Sequence, residues 1–238
     1  MLACYRARVL AAFPGRIERI VVFGSRARGD PHGESDWDFA VFFRQPPGES
    51  ESDRLADLDW ELGQSFGGRI QSLELAREAW LASNELACNI RDHGLIIYGP
   101  NDVPTIKRPV MRHARDALAK AERFAELSAE TPDARFEGVI HGAYYAMFHG
   151  ARAALLAAEG SASTKHGRVV DAFVALVKRR YRAEAARHAA ALLRAYRHRI
   201  TADYGNTDLT AVGRRLRDRV APLLAFCREL VEGAAHQP

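Results

Sequence analysis

The chain has 238 residues, enough for one large domain or two small ones, and its 47% hydrophobic and 27% charged residues fit an ordinary globular protein with no run of membrane-spanning length. Three scattered cysteines, Cys4, Cys88 and Cys227, point to neither a disulfide framework nor a paired-cysteine zinc site, so a reducing cytoplasm is the expected setting. The net charge of +4 is divided: residues 1–106 hold 11 Lys/Arg against 16 Asp/Glu, and residues 107–238 hold 23 against 14.

The first half alternates helical and extended signals. Leu2–Phe13 has helical character stopped by Pro14-Gly15. Ile17–Phe23 and Phe39–Phe43 are short apolar runs suited to buried strands. After Pro46-Pro47-Gly48, Leu55, Leu58, Leu62 and Phe66 recur at helical spacing until Gly67-Gly68. Arg69–Leu75 predicts a third strand, Glu78–His93 helical stretches, and Leu95–Tyr98 a last short strand. The expected product is a small mixed α/β (α+β) sheet flanked by helices.

Gly99-Pro100-Asn101-Asp102-Val103-Pro104 marks a linker. Beyond it only helical periodicity remains. Val110 to Ala125 carries one apolar face, Ile140 to Leu155 another that Gly160 closes, and Val169–Val177, Ala189–Ile200 and Leu209–Leu230 continue the pattern. Four or five helices with short connections predict an all-α helical bundle. The expected organisation is a domain over 1–99, a linker over 100–106 and a bundle over 107–232. Opposite charges in the two halves fit domains that attract each other or a basic half that meets an acidic partner; solvated arginine on helix faces gives the same count.

Between the first two strands the sequence runs from Gly24-Ser25 through ten residues to Asp36-Trp37-Asp38. Glycine lets backbone N–H groups approach phosphate oxygens without a Cβ in the way. Asp36 and Asp38, two apart on a strand, project their carboxylates from one face. Two such ligands suit Mg²⁺ or Mn²⁺, with water and phosphate completing the shell. These residues resemble the minimal nucleotidyltransferases of the polymerase-β-like superfamily, whose signature is this Gly-Ser pair and Asp-x-Asp between two strands; Gly29 fits the same opening. The resemblance extends to about Gly99.

The resemblance implies transfer of a nucleoside monophosphate from a nucleoside triphosphate, ATP by preference, to a hydroxyl acceptor. Gly24 and Ser25 would hold the terminal phosphates, Asp36 and Asp38 the metal, and Arg26 and Arg28 the leaving pyrophosphate, although those arginines equally suit a solvated loop. His32 falls in the polar loop and has no assigned role. A third carboxylate is expected on the later strand. Gln71 occupies that place, and Glu74, three residues on, falls on the opposite strand face. Binding of nucleotide and one metal ion is therefore better supported than catalysis.

Tyr144-Tyr145-Ala146-Met147-Phe148-His149, Lys165-His166-Gly167 and Arg199–Tyr204 resemble landmarks of HEPN domains, which commonly accompany minimal nucleotidyltransferases. Many HEPN proteins are ribonucleases with an Arg, four to six residues, then a His. Arg26/His32, Arg108/His113, Arg135/His141 and Arg182/His188 satisfy that spacing, but 30 arginines in the chain would give about three such matches by chance. None falls beside Asp203-Tyr204, and Arg194 and His198 are too close together. The helical half is therefore expected not to be a ribonuclease. The basic runs Lys178–Arg182 and Arg214–Arg217 suit nucleic-acid phosphates or solvated helix faces alike. Tyr144, Tyr145 and Phe148 suit a stacking surface, a core or a dimer interface, and His149, His166 and Arg199 suit a pocket or a structural role.

Three functions remain open. The first is a nucleotidyltransferase acting on a protein or other hydroxyl in a toxin–antitoxin or defence-like setting, with Tyr204 as an acceptor in the chain itself. The second is a catalytically impaired nucleotide-binding module that forms a homo-oligomer through its helical half. The third is a nucleic-acid-binding protein. No membrane partner is expected.

Overall fold

A computed structural model describes residues 1–29, 35–104, 109–181, 185–205 and 207–235. It divides into two compact units, residues 1–108 and 109–238. His32, Arg108, Arg182 and the end of the expected linker at 105–106 lie outside the described residues.

The first unit opens with α1 (Leu2–Ala12) and β1 (Ile17–Phe23), followed by the single turn α2 (Gly24–Ala27) and β2 (Trp37–Phe43). The crossover α3 (Glu49–Phe66) leads to β3 (Ile70–Ala76). A 3₁₀ turn over Arg77–Leu81, α4 (Glu85–His93) and β4 (Leu95–Tyr98) complete it. The helical stretches expected over Glu78–His93 are this 3₁₀ turn and α4, and Asn84 starts the second by accepting from the Ala87 N–H at 2.9 Å, a side-chain N-cap. The four strands lie in the order β3-β2-β1-β4; β1 is antiparallel to β2 and β4, and β2 is parallel to β3.

Strand alternation divides the apolar side chains between two faces. Ile20, Val22, Phe39, Val41 and Phe43 pack with Tyr5, Val9, Leu55 and Leu62 of α1 and α3. Val21, Ala40 and Phe42 pack with Trp80 and Ile90 on the other face. The outer strand β3 is closed by α3: Asp59 accepts from the Ser72 N–H at 2.7 Å and the Ser72 hydroxyl at 2.8 Å, while Tyr5 Oη lies 2.5 Å from the same hydroxyl. A side chain thereby occupies a backbone group that an edge strand would otherwise offer to another chain. Buried Arg19 lies 4.1 Å over Trp80 and holds the Pro100 carbonyl and the Asp102 carboxylate, which ties the start of the following segment to this unit.

The second unit comprises α5 (Val110–Glu130), α6 (Phe136–Glu159), α7 (His166–Arg180), α8 (Ala186–Tyr204) and α9 (Thr210–Ala235). It is an all-α bundle centred on α6, whose Ile140, Tyr144, Met147, Ala151 and Leu155 are buried. Helices α5 and α6 approach closely at Gly142, where a Cβ would stand 2.9 Å from Ser128 Cβ, and the Ser128 hydroxyl donates to the Val139 carbonyl at 3.0 Å. Among the described residues no helix is long and apolar enough to cross a membrane.

Candidate functional site

Antiparallel pairing sets Phe23, the last residue of β1, opposite Asp38 of β2. The chain must turn immediately beyond Phe23, so the turn meets the Asp38 carboxylate. A Cβ at Gly24 would stand 2.0 Å from Asp38 Oδ2 and 2.9 Å from its Cγ, and Gly24 has φ +76°. Only glycine meets both the space and the left-handed backbone. The half-buried Ser25 follows in the same single turn, which closes with the Arg28 N–H donating to the Gly24 carbonyl at 3.3 Å.

The two arginines proposed for phosphate are placed differently. Arg26 donates through Nε and Nη2 to the Ser35 carbonyl at 2.9 and 2.6 Å, and its guanidinium lies 4.4 Å over the Trp37 ring. It braces the turn against the start of β2. Arg28 is exposed, and its charge acts on Asp38.

β2 begins at Trp37, two residues earlier than expected, so Asp38 lies inside the strand with Asp36 just ahead of it. Burial pushes the Asp38 pKa up, the Asp36 charge adds to that, and Arg28 opposes it. Asp36 is 3.9 Å from Arg69, an exposed residue whose proximity the sequence did not indicate. Such a long, solvated ion pair contributes little and yields readily to a stronger cation. Two carboxylates whose charges resist each other, next to a glycine turn, form a donor set that fits Mg²⁺ or Mn²⁺ with phosphate and water supplying the other ligands. Among the described residues no group of three or more His, Cys, Asp or Glu is gathered for a metal.

The parallel register places Gln71 opposite Asp38 and Glu74 opposite Val41. Burial raises the pKa of Asp59 on α3, and the Glu74 charge adds to that. The place beside Asp38 on β3 is therefore held by a neutral amide. Arg69 and Gln71 also border a cavity of about 720 Å³ between α3 and β3, together with the exposed Trp60, Gln64 and Glu74.

In the helical half, the described polar residues gather across three elements. His141 Nε2 lies 2.7 Å from Asp203 Oδ1, and Arg199 Nε donates to Asp203 Oδ2 at 3.2 Å. The Arg199 guanidinium stands 5.5 Å over Tyr144, whose hydroxyl is 2.5 Å from His166 Nδ1. Tyr144 and Phe148 are buried in the core and Tyr145 is half-buried, which rules out a stacking surface built from all three. His149 is buried and stacks on Phe124, and among the described residues its Nδ1 has no hydrogen-bond partner; burial and the nearby cations, Lys120 first among them, push its pKa down to about 3. His141 pairs with Asp203, a contact between residues 62 apart that the Arg-to-His spacing does not reveal. His188 stacks on Phe226 at 4.9 Å and His113 is buried. Tyr204 ends α8 with 87% of its surface exposed.

A two-carboxylate sheet site followed by a helical bundle defines a two-domain nucleotidyltransferase-like protein. Residues 9–102 match the family described as polymerase beta, nucleotidyltransferase, and residues 108–235 match the HEPN domain. The chain belongs to the HEPN family and carries a polymerase-β nucleotidyltransferase domain ahead of its HEPN domain. Among solved structures it is similar to a spectinomycin adenyltransferase from Enterococcus faecialis with ATP and spectinomycin: 14% identity, 92% of this chain and 98% of that one covered, TM-score 0.52. That likeness is one of fold. A toxin–antitoxin structure with AMP-PNP has 19% identity, with 41% of this chain and 73% of that one covered and a TM-score of 0.33. A nucleotidyltransferase-like protein from Exiguobacterium sibiricum has 15% identity, 98% and 76% coverage and a TM-score of 0.42. A comparison with curated proteins found no match.

Proposed function

We propose that the protein transfers a nucleoside monophosphate from a nucleoside triphosphate, ATP by preference, to a hydroxyl on a protein or other acceptor. The observation that carries this reading is the contact of Gly24 with the Asp38 carboxylate, with Asp36 just ahead of the same strand. Phosphoryl-type transfer needs placement and charge neutralisation more than covalent help, and this corner offers both. Ser25 and the backbone of the turn hold the terminal phosphates, Arg28 offsets charge on the departing pyrophosphate, and Arg26 keeps the turn in place. Asp36 and Asp38 would hold a Mg²⁺ or Mn²⁺ ion, which would supply Lewis-acid neutralisation of phosphate charge. The acceptor hydroxyl enters from the side of Gln71 and the α3–β3 cavity. Tyr204, exposed and carried on the same chain, is an acceptor of the right chemistry. A toxin–antitoxin or defence-like setting in the cytoplasm, and self-association through the helical half, accompany this reading.

Gln71 favours a second reading, nucleotide binding without efficient transfer, because no β3 carboxylate stands beside Asp38 to draw the acceptor proton. One experiment separates the two. The protein is incubated with each labelled triphosphate and Mg²⁺, with and without cell extract, and then read by intact mass and pyrophosphate release. Transfer predicts a nucleotide-sized mass increase that disappears in Asp36→Ala/Asp38→Ala. Triphosphate-dependent stabilisation without any mass increase or pyrophosphate would leave only the second.

A further inference from the structure

The bundle holds a second concave site, separate from Asp36 and Asp38. A cavity of about 480 Å³ lies between α8 and α9, within the size range of small-molecule sites. Arg194 and His198 line it from α8, one helical turn apart, and Arg215 and Arg219 line it from α9 with the same spacing. Asp218 is the single carboxylate in this lining. Buried Leu216 and Ala191 form the apolar part of the wall.

The pairing of the neighbouring arginines sets these apart. Arg199 is held by Asp203, Arg214 and Arg217 by Asp133, and Arg228 by Glu122. Among the described residues the side chains of Arg194, Arg215 and Arg219 make no ion pair or hydrogen bond. Three exposed arginines thus border one hollow whose described lining holds a single acid, Asp218. That excess carries a net repulsion which an anion would relieve. Guanidinium forks match the oxygens of a phosphoryl group in pairs, and an apolar wall strengthens such contacts by excluding water.

We propose that the groove between α8 and α9 binds a phosphoryl anion, with Arg194, Arg215 and Arg219 as donors and His198 as a further contact. The anion is the phosphate of a small ester or of a nucleic-acid backbone, which present the same oxygens.

The test titrates inorganic phosphate into the full chain in EDTA, following the His198 ring by NMR, with chloride at equal ionic strength as control. The expected result is a saturable His198 shift with phosphate only. In Arg194→Gln/Arg215→Gln, phosphate affinity should fall at least about tenfold. In Asp36→Ala/Asp38→Ala it should be unchanged, which separates this site from the nucleotidyltransferase reading. A shift that chloride reproduces, no saturation, or equal affinity in the double arginine variant would overturn the proposal. Short RNA and ribose 5-phosphate then distinguish the source. RNA binding that tightens with length and loses salt dependence in the double variant assigns a nucleic-acid backbone. RNA binding no tighter than ribose 5-phosphate assigns a small ester.

Discussion

The two halves of the molecule assemble polar chemistry in opposite ways. In the first, Gly24, Ser25, Asp36 and Asp38 come from a single run of fifteen residues and meet at strand ends, partly open to water. In the second, His141, Tyr144, His166, Arg199 and Asp203 come from α6, α7 and α8, and each leans on the next. A turn between paired strands fixes its residues through local geometry, so the substrate can complete the site. A cluster gathered from three helices exists only after the bundle has packed, and its contacts are already made within the fold. The first arrangement is poised for a ligand and the second for holding helices together.

The largest expected effect breaks the first half alone. Asp36→Ala/Asp38→Ala should reduce nucleotide transfer about a thousandfold or more, the several kcal/mol that a bound metal contributes to such transition states. Thermal stability should stay level or rise, since two mutually repelling carboxylates are removed. A large fall in melting temperature would mean that the pair is structural. Next comes Gln71→Glu, which restores a carboxylate opposite Asp38 and should raise the transfer rate by about tenfold to a hundredfold. A rate equal to or below that of the parent would show that Gln71 is not what limits transfer.

Gly24→Ala tests whether the glycine serves the carboxylate. Its Cβ would overlap Asp38 Oδ2 and demand a left-handed alanine, so a cost of about 1–3 kcal/mol is expected in denaturant unfolding, together with weakened metal binding. Gly29→Ala, at φ +76° with no described residue within 4 Å of the added Cβ, should show the backbone cost without the loss of metal affinity. Equal metal affinity in the two variants would break the link between Gly24 and Asp38.

That contact shows where sequence reading succeeds and where it stops. Alternating apolar runs and Gly/Pro punctuation are local, so both strands around the site, the helix ending at Gly160 and the change to a bundle were legible. The Gly-Ser and Asp-x-Asp spacing was legible too, and the absent third carboxylate became visible once Gln71 was placed on a strand. What Gly24 touches was not, because it depends on the antiparallel register that puts Phe23 opposite Asp38. Arg26 carries the charge expected of a phosphate ligand, yet it is engaged by the Ser35 carbonyl and the Trp37 ring. Charge type is written in the sequence; the partner that already occupies it is not. For the same reason His141 and Asp203, 62 positions apart, gave no signal.

A smaller effect probes the second half. Tyr144→Phe removes the hydroxyl beside His166 Nδ1 while keeping the ring in the core, and should cost about 1 kcal/mol in urea unfolding. Transfer should be unchanged. A loss of transfer with stability intact would mean that the helical cluster takes part in the reaction, and the contrast between an open site and a self-satisfied one would fail.

The smallest expected effect is the pH dependence of Asp38. Its folded pKa is raised by burial and by Asp36, so between the ordinary carboxylate value of 3.8 and the raised one the folded chain retains a proton that the unfolded chain has released. The Asp38 contribution to stability is therefore largest below that window and declines as pH rises through it. The carboxylate is half-exposed, so water screens the effect and the change should stay below about 1 kcal/mol. Other acids titrate nearby, and Glu51, held down to about 2 by Arg16, changes stability in the opposite sense. The difference between the parent and Asp38→Asn, measured by unfolding in EDTA from about pH 3.5 to 7, removes that background. The variant should gain relative to the parent as pH rises. Added Mg²⁺ should reverse the sign, because a cation favours the ionised carboxylate that the metal-free fold disfavours, and its affinity should weaken as pH falls into the window. If the difference is flat with Mg²⁺ and without it, Asp38 is neither strained by its neighbour nor engaged by a metal, and the corner built on Gly24 loses its chemical purpose.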